Sequence, residues 1–219
     1  MEIEKTADGS CTIFLPEMNE HYHSIKGAIT ESNHIFIDKA LRFHTKKDVN
    51  VLEIGFGTGL NAILTLLEAE NNKRKVHYTT IEKYPLEMDI IKSLNYISLV
   101  GEENISMFYN LHQCTWNEEN NISHFFTINK INDDFTDFRF NEQFDVVYFD
   151  AFAPEKQPEM WTQQLFDYIF SIMNKGGILT TYCAKGIVRR MLKTSGFKVE
   201  RLPGPPNGKR EILRAVKID

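Results

Sequence analysis

Cysteine is scarce in this chain of 219 residues, and what the sequence lacks excludes several classes of protein. Its three cysteines, Cys11, Cys114 and Cys183, are odd in number and form no C-x-x-C pair, which favours reduced thiols. No apolar run approaches the roughly 20 residues of a membrane helix, and the charged N-terminus lacks the pattern of a signal peptide. We therefore expect a soluble, cytoplasmic protein without membrane contact.

Internal repeats, low-complexity tracts and Pro/Gly-rich linkers are also absent, so we treat residues 1–219 as a single domain. A chain of this length can bury a substantial core. His21 and His23 form an H-x-H pair, but no third ligand is evident, and we expect no metal site.

Charge is distributed unevenly along the chain. The net charge of −5 argues against a nucleic-acid partner. However, residues 184–219 hold ten of the 25 Lys and Arg and only three of the 30 Asp and Glu, so this segment carries +7 and the remainder −12. A basic face of this kind can attract phosphate, although a solvated helix and strand with scattered cations is an equally good interpretation.

Strands and helices alternate through most of the chain. We predict strands at 49–54, 76–81, 124–131, 144–149, 178–183, 197–202 and 211–218, and helices at 60–69, 86–94, 160–173 and 187–194. Residues 174–177 (Asn-Lys-Gly-Gly) are typical of a helix end. The alternation predicts a doubly wound α/β fold with a seven-stranded, mostly parallel sheet. The last two strands should pair antiparallel, because the connection at 203–208 is too short for a crossover helix.

Residues 1–48 fit this core poorly, and we expect them to form an N-terminal extension that covers the ligand edge of the sheet. The first strand of the core then leads into a glycine-rich turn, in which Gly55, Gly57 and Gly59 let the backbone approach a ligand. The spacing is G-x-G-x-G, not the dinucleotide fingerprint G-x-G-x-x-G. Glu53 precedes the turn, and its carboxylate would repel a pyrophosphate but suits the sulfonium and ammonium cations of S-adenosylmethionine. The turn therefore predicts this cofactor, and a turn without a ligand is the alternative.

Three later strands also end near candidate site residues. Glu82 is placed to hydrogen-bond the ribose hydroxyls of an adenosine ligand. Asp134 can accept a hydrogen bond from the adenine amino group, although a solvated loop acid is as well supported for Asp133 or Asp134. Asp150 ends the fourth strand at the ligand edge, and Phe152 offers a flat wall for a planar group unless it belongs to the core.

The sequence resembles the methyltransferase domains of the MnmC family, bacterial enzymes that complete 5-methylaminomethyl-uridine at the tRNA wobble position. The likeness spans nearly the whole chain. It is carried by Gly55-Phe-Gly-Thr-Gly-Leu-Asn61, Glu82-Lys-Tyr-Pro-Leu86, Phe149-Asp-Ala-Phe-Ala-Pro-Glu-Lys-Gln-Pro-Glu-Met-Trp161, Gly208-Lys-Arg-Glu-Ile212, Tyr22-His-Ser24 and Glu31-Ser32. The resemblance implies a Rossmann-like class I methyltransferase fold, with Asn61, Lys83, Tyr22 and Ser24 as further cofactor contacts.

Two departures from the family pattern matter. Full-length members carry an FAD-dependent oxidase domain, and nothing in this sequence could hold FAD, so the resemblance implies a stand-alone form. Such a form would perform only the final methylation, and a separate oxidase would supply the aminomethyl precursor. The family has Gly-Asp where this chain has Asp133-Asp134, which leaves the register of Asp134 open.

The implied reaction is in-line attack by the primary amine of 5-aminomethyl-(2-thio)uridine on the sulfonium methyl group. We expect Asp150 to orient this amine, because an aspartate with an ordinary pKa of about 3.9 is a feeble base. Phe152 would flank the flipped-out uracil, with Pro154 in the same loop.

The basic segment would bind the phosphates of the anticodon stem-loop. The candidate residues are Lys185, Arg189, Arg190, Lys209 and Arg210. Two other functions remain open. One is a methyl- or aminopropyltransferase for a small amine, which needs an acidic cleft and no basic face, and the other is a non-catalytic RNA-binding module.

Overall fold

Parallel strands dominate the central sheet. The computed structural model describes residues 1–218, and Asp219, one of the acids counted in the basic segment, lies outside them. The strands are β1 (Glu2–Lys5), β2 (Cys11–Leu15), β3 (Glu20–His21), β4 (Asp48–Ile54), β5 (Lys75–Ile81), β6 (Glu119–Asn121), β7 (Phe126–Ile131), β8 (Phe144–Phe149), β9 (Met173–Thr181), β10 (Lys198–Pro203) and β11 (Glu211–Val216).

Helices pack on both faces of this sheet. They are α1 (Ala28–Ser32), which continues into a π-helix (Asn33–Leu41), α2 (Leu60–Asn72), α3 (Met88–Ser93), α4 (Tyr96–Val100), α5 (Ile105–Gln113), α6 (Gln163–Ser171) and α7 (Gly186–Thr194), with short 3-10 turns at Glu102–Asn104 and Pro158–Met160. Successive strand residues point to opposite faces, so Val51 and Leu52 enter two different apolar clusters. The π-helix, α2 and α5 contribute to the first cluster, and α6 and α7 to the second.

The strand order of the main sheet is β10-β11-β9-β8-β4-β5-β7-β6. The pairs β4–β5, β4–β8, β5–β7 and β8–β9 are parallel, whereas β11 lies antiparallel between β9 and β10. The predicted doubly wound sheet and its antiparallel last strand are confirmed. The chain runs outward in opposite directions from β4, so the carboxyl ends of β4 and β8 form the crevice where such sheets bind ligands.

For the strands of the main sheet within residues 1–218, the sequence prediction is wrong in two places. The sheet has eight strands, because the short edge strand β6 pairs antiparallel with β7. Residues 174–177 do not end a helix: α6 already ends at Ser171, and these residues lie inside β9, where Gly176 adopts a φ of +79° and the register with β8 shifts.

The N-terminal segment forms an antiparallel three-stranded sheet of β1, β2 and β3. Asn95 ties this sheet to the main body, because its side chain accepts from the Cys11 amide and donates to the Gly9 carbonyl at 2.8 Å each. The chain then brings Tyr22 against the glycine turn. Within residues 1–218, no helix is long and apolar enough to cross a membrane.

Candidate active site

A cavity of about 550 Å³ opens at the carboxyl ends of β4, β5, β7 and β8. The predicted site residues that line it are Gly55, Gly57, Asn61, Glu82, Lys83, Asp134, Asp150, Phe152 and Tyr22. Three predicted cofactor contacts, Glu53, Gly59 and Ser24, do not line this cavity. The ligand edge of the sheet therefore brings together most of the residues chosen from sequence.

The glycine turn shapes one wall of this first cavity. Gly57 has a φ of +49°, and a Cβ added there would lie 3.0 Å from Cδ1 of Tyr22. Gly59 has a different function, because a Cβ there would lie 2.6 Å from Nε2 of His112 on α5. Gly57 thus keeps the cavity open, whereas Gly59 permits close packing behind the turn.

Glu82 is held rigidly at the end of β5. Its Oε2 accepts from the Gly57 amide at 3.1 Å, and its Oε1 accepts from the Tyr84 amide at 2.8 Å. Each carboxylate oxygen keeps a further lone pair that can accept from a hydroxyl. This geometry suits the ribose of an adenosine ligand.

Lys83 and Asp134 form an ion pair at the rim, with 2.7 Å between Nζ and Oδ2. Asp134 Oδ1 also accepts from the amide and hydroxyl of Thr136 at 2.9 and 2.7 Å. The Lys83 hydrogen bond and the Thr136 bonds hold the pKa of Asp134 below its ordinary value. Asp133 lines the same cavity, so the choice of Asp134 as the adenine contact stays a prediction.

Glu53 lies beneath the glycine turn with no solvent exposure. Its Oε2 accepts from the Thr80 hydroxyl at 2.9 Å, and burial raises its pKa to about 8. Its Oε1 and the buried Oδ1 of Asn61 have no hydrogen-bond partner within residues 1–218. Asn61 lines the first cavity, so its orphaned acceptor beside a turn that a Cβ would fill suits a ligand with an ammonium group, as S-adenosylmethionine has.

Asp150 follows β8 and is anchored to α2, because its Oδ2 accepts from Nδ2 of Asn61 at 2.9 Å. Burial raises the pKa of Asp150 to about 7, against the opposing effects of the Asn61 hydrogen bond and the charge of Lys209. The ordinary pKa assumed from sequence is therefore wrong. A carboxyl group in this environment can exchange a proton near neutral pH.

A second cavity of about 620 Å³ adjoins the first. The residues that line both are Tyr22, His23, Asp150, Ala151 and Phe152. The rings of Tyr22 and Phe152 meet edge to face at 5.2 Å. Phe152 is held by its backbone, since its carbonyl accepts from Nε1 of Trp161 at 2.7 Å. It therefore forms a cavity wall and is not part of the core.

The second cavity is acidic. Its lining includes Glu20, Glu31, Asp150, Glu155 and Glu211 but only two lysines, Lys185 and Lys209. Both lysines form ion pairs, Lys185 with Glu155 and Lys209 with Glu31. Such a cavity favours a cationic substrate group.

The residues predicted to bind RNA separate into two groups. Pro154, Lys185 and Lys209 line the second cavity. Arg189, Arg190 and Arg210 lie outside it and form no ion pair within the described part of the chain. These three arginines are the members of the predicted set that remain available to phosphate.

Some site residues were not singled out from sequence. His23 bonds the Thr58 hydroxyl at 2.8 Å through Nε2, and burial lowers its pKa to about 4, so the ring is neutral at pH 7. Glu31 and Tyr182 line the second cavity. His23 was noted in the H-x-H pair and in a segment of the family resemblance, Glu31 only in such a segment, and Tyr182 had no signal.

Comparisons with known proteins agree with this geometry. A family model described as S-adenosyl-L-methionine-dependent methyltransferase matches residues 111–218. The bifunctional protein MnmC of tRNA 5-methylaminomethyl-2-thiouridine biosynthesis from Marinomonas sp. is 30% identical over 205 residues, which are 86% of this chain and 30% of that protein. The protein of the same name from Leptospira interrogans is 30% identical over 219 residues, 90% of this chain and 32% of that protein. The chain thus spans about a third of these curated relatives.

Two solved structures also superpose on this chain. The crystal structure of MNMC2 from Aquifex aeolicus superposes with a TM-score of 0.77 at 27% identity, over 98% of this chain and 69% of that one. Spermidine synthase from Thermotoga maritima superposes with a TM-score of 0.62 at 12% identity, over 100% and 73% of the two chains, and shares the fold.

We expect Gly57→Val to abolish cofactor binding, because the branched side chain would fill the cavity beside Tyr22. Calorimetric titration with S-adenosylhomocysteine should show an affinity loss of at least about tenfold, which is 1.4 kcal/mol. Gly176→Val is the matched control, since its φ of +79° imposes similar strain while an added Cβ meets nothing within 4 Å. Equal affinity in Gly57→Val and wild type would contradict this placement of the cofactor.

Proposed function

The chain belongs to the S-adenosyl-L-methionine-dependent methyltransferases, and from this premise we propose that it methylates the 5-aminomethyl group of wobble (2-thio)uridine in tRNA. The product would be 5-methylaminomethyl-uridine. The observation that carries the proposal is the position of Asp150 in the wall shared by the two cavities. An amine in the acidic cavity would meet the methyl donor in the first cavity at this carboxylate.

Residues of this chain would hold the cofactor and orient the two reactants. S-adenosylmethionine, when bound, supplies a methyl group on a cationic sulfur that leaves as a neutral thioether. Glu82, Asn61 and the turn at Gly57 would hold it. Asp150 would orient the substrate amine so that its lone pair can form the new N–C bond with this methyl group. Orienting the two reactants contributes about 7–11 kcal/mol in well-aligned systems.

Asp150 would also assist in removing a proton. An alkylammonium group has a pKa of about 10, so the amine enters mostly protonated and must lose a proton before it attacks. Transfer to a carboxylate with a pKa of about 7 costs about 4 kcal/mol, against about 8 kcal/mol for an ordinary aspartate. After methyl transfer, the product ammonium loses its second proton to Asp150 or to water.

The tRNA substrate is supported by the arginines beside the cavities. Arg189 and Arg190 lie on α7, which follows the carboxyl end of β9 and so starts at the ligand edge of the sheet. The MnmC relatives are named for tRNA 5-methylaminomethyl-2-thiouridine biosynthesis. The primary amine must come from an earlier step, and we propose that a separate oxidase or an equivalent enzyme supplies it.

A second candidate is a methyl- or aminopropyltransferase that acts on a small amine. The acidity of the second cavity favours this function as much as it favours an aminomethyl group on RNA. The arginines outside the ion pairs of residues 1–218 favour RNA, because a small cationic amine gains nothing from them. A non-catalytic RNA-binding module is the weakest alternative, since it gives no reason for the raised pKa of Asp150 at the junction.

We expect Asp150→Asn to lower kcat and kcat/KM by similar factors on the order of 10²–10³, because the carboxylate acts on the amine during transfer. Wild-type kcat/KM should rise as pH passes about 7, where Asp150 becomes ionised, and the variant should lose that component. Single turnover on tRNA that bears 5-aminomethyl-uridine measures both effects.

The asparagine can still accept the hydrogen bond from Asn61, so the affinity for S-adenosylhomocysteine should barely change. Near wild-type turnover would remove Asp150 from the mechanism. Loss of cofactor affinity in this variant would make it a binding residue.

We expect the double variant Arg189→Ala/Arg190→Ala to weaken tRNA binding and to reduce the slope of log affinity against log salt by about 2, through lost counterion release. Lys47→Ala/Lys75→Ala is the matched control, because these exposed lysines lie at the opposite edge, by the amino ends of β4 and β5. Filter binding across a salt series measures the tRNA affinity of both double variants. If the two pairs behave alike, or if affinity is independent of salt, the small-amine function gains support.

A further inference from the structure

The ammonium group of Lys209 lies in the second cavity between an aromatic ring and a carboxylate. Its Nζ is 3.7 Å from the centre of the Tyr182 ring and 3.5 Å from Oε1 of Glu31. Glu31 belongs to α1, Tyr182 follows β9, and Lys209 lies in the loop between β10 and β11. Three distant parts of the chain thus converge on one cation.

The two groups that receive this cation are fixed independently of it. The Glu31 side chain is only 10% exposed, and its Oε2 accepts from the Ser24 amide at 2.9 Å. The Tyr182 hydroxyl donates to the Ala151 carbonyl at 2.8 Å, next to Asp150. A preorganised carboxylate and a preorganised aromatic face are two elements that recognise an organic ammonium ion.

The Lys209 side chain, in contrast, is held only loosely between these two groups. Its side chain is 45% exposed, and its distance of 3.5 Å to Glu31 is long for a charged hydrogen bond. The residue lies in the loop before β11, which also contains Gly204 and Gly208. The cation is therefore half-exposed and held by a long ion pair, whereas its binding groups are fixed by hydrogen bonds of their own.

We propose that Glu31 and the face of Tyr182 form a subsite for the primary ammonium group of the substrate, which Lys209 fills in its absence. Lysine carries the same R–CH₂–NH₃⁺ group as an aminomethyl substrate and acts as its tethered surrogate. Only the identity of the natural occupant, the aminomethyl group of uridine, rests on the proposed function. The subsite lies within the cavity that reaches Asp150, so an amine bound there is one short movement from the transfer position.

The tethered lysine gives the subsite a selectivity that the cavity alone lacks. A group on a flexible tether has an effective local concentration in the millimolar range or above, so a free small amine must exceed it to enter. An amine delivered on a larger ligand with its own binding energy can displace Lys209. The subsite thereby discriminates against free amines.

Binding of methylammonium tests this proposal without any methyl transfer or tRNA. Methylammonium chloride is titrated into the protein saturated with S-adenosylhomocysteine at constant total chloride, and saturation-transfer NMR of the methyl protons reports binding. We expect Lys209→Ala to bind at least about tenfold more tightly than wild type, because the competitor is gone. Lys193→Ala, an exposed lysine of α7 outside the cavity, should match wild type.

Two further variants identify the subsite on the Lys209→Ala background. Glu31→Gln should abolish the gained affinity. Tyr182→Phe should retain it and Tyr182→Leu should lose it, because the ring and not the hydroxyl receives the cation. Unchanged affinity for S-adenosylhomocysteine shows that each variant is folded. Equal methylammonium binding in wild type and Lys209→Ala, or tight binding that survives Glu31→Gln, would overturn the proposal while leaving the proposed methylation untouched.

Discussion

The hydrogen bond from Asn61 to Asp150 is the interaction on which the site depends. It joins the first turn of α2 to the end of β8, across the point where the strand order reverses, and its length is 2.9 Å. The bond fixes a carboxylate with a raised pKa in the wall shared by the first cavity and the acidic second cavity, where it faces both. Parallel strands impose this arrangement, because their carboxyl ends, and the side chains that follow them, converge at one edge.

Electrostatics divides the substrate side of the molecule into an acidic interior and a basic rim. The sequence assigns +7 to the last 36 residues, but folding pairs Lys185, Lys209, Arg201 and Arg214 with acids. Arg189, Arg190 and Arg210 stay outside these pairs. A polyanion that carries a cationic group fits such a surface, because its phosphates meet the rim and its amine enters the acidic cavity.

Much of the fold could be predicted because the signals are local. The apolar strand and its glycine turn identified β4, and the short loop at 203–208 identified the antiparallel end of the sheet. The start of β9 could not be predicted from the sequence, because Gly176 and Gly177 are typical of a helix end. Only the pairing with β8 overrides that preference. The same local reasoning selected most of the predicted cofactor contacts that line the first cavity. The pKa of Asp150 and the cluster of Glu31, Tyr182 and Lys209 depend on burial and on contacts between distant segments, which no local pattern encodes.

The most direct test of this account is mass analysis of the nucleosides after tRNA bearing 5-aminomethyl-uridine is incubated with the protein and methyl-labelled S-adenosylmethionine. The account predicts one labelled methyl group on the wobble nucleoside. The amount of labelled nucleoside should equal the amount of S-adenosylhomocysteine formed. The same incubation with a polyamine in place of tRNA should give no labelled product. Labelled polyamine together with unlabelled tRNA would contradict the account, because it would assign the acidic cavity beside Asp150 to a small amine.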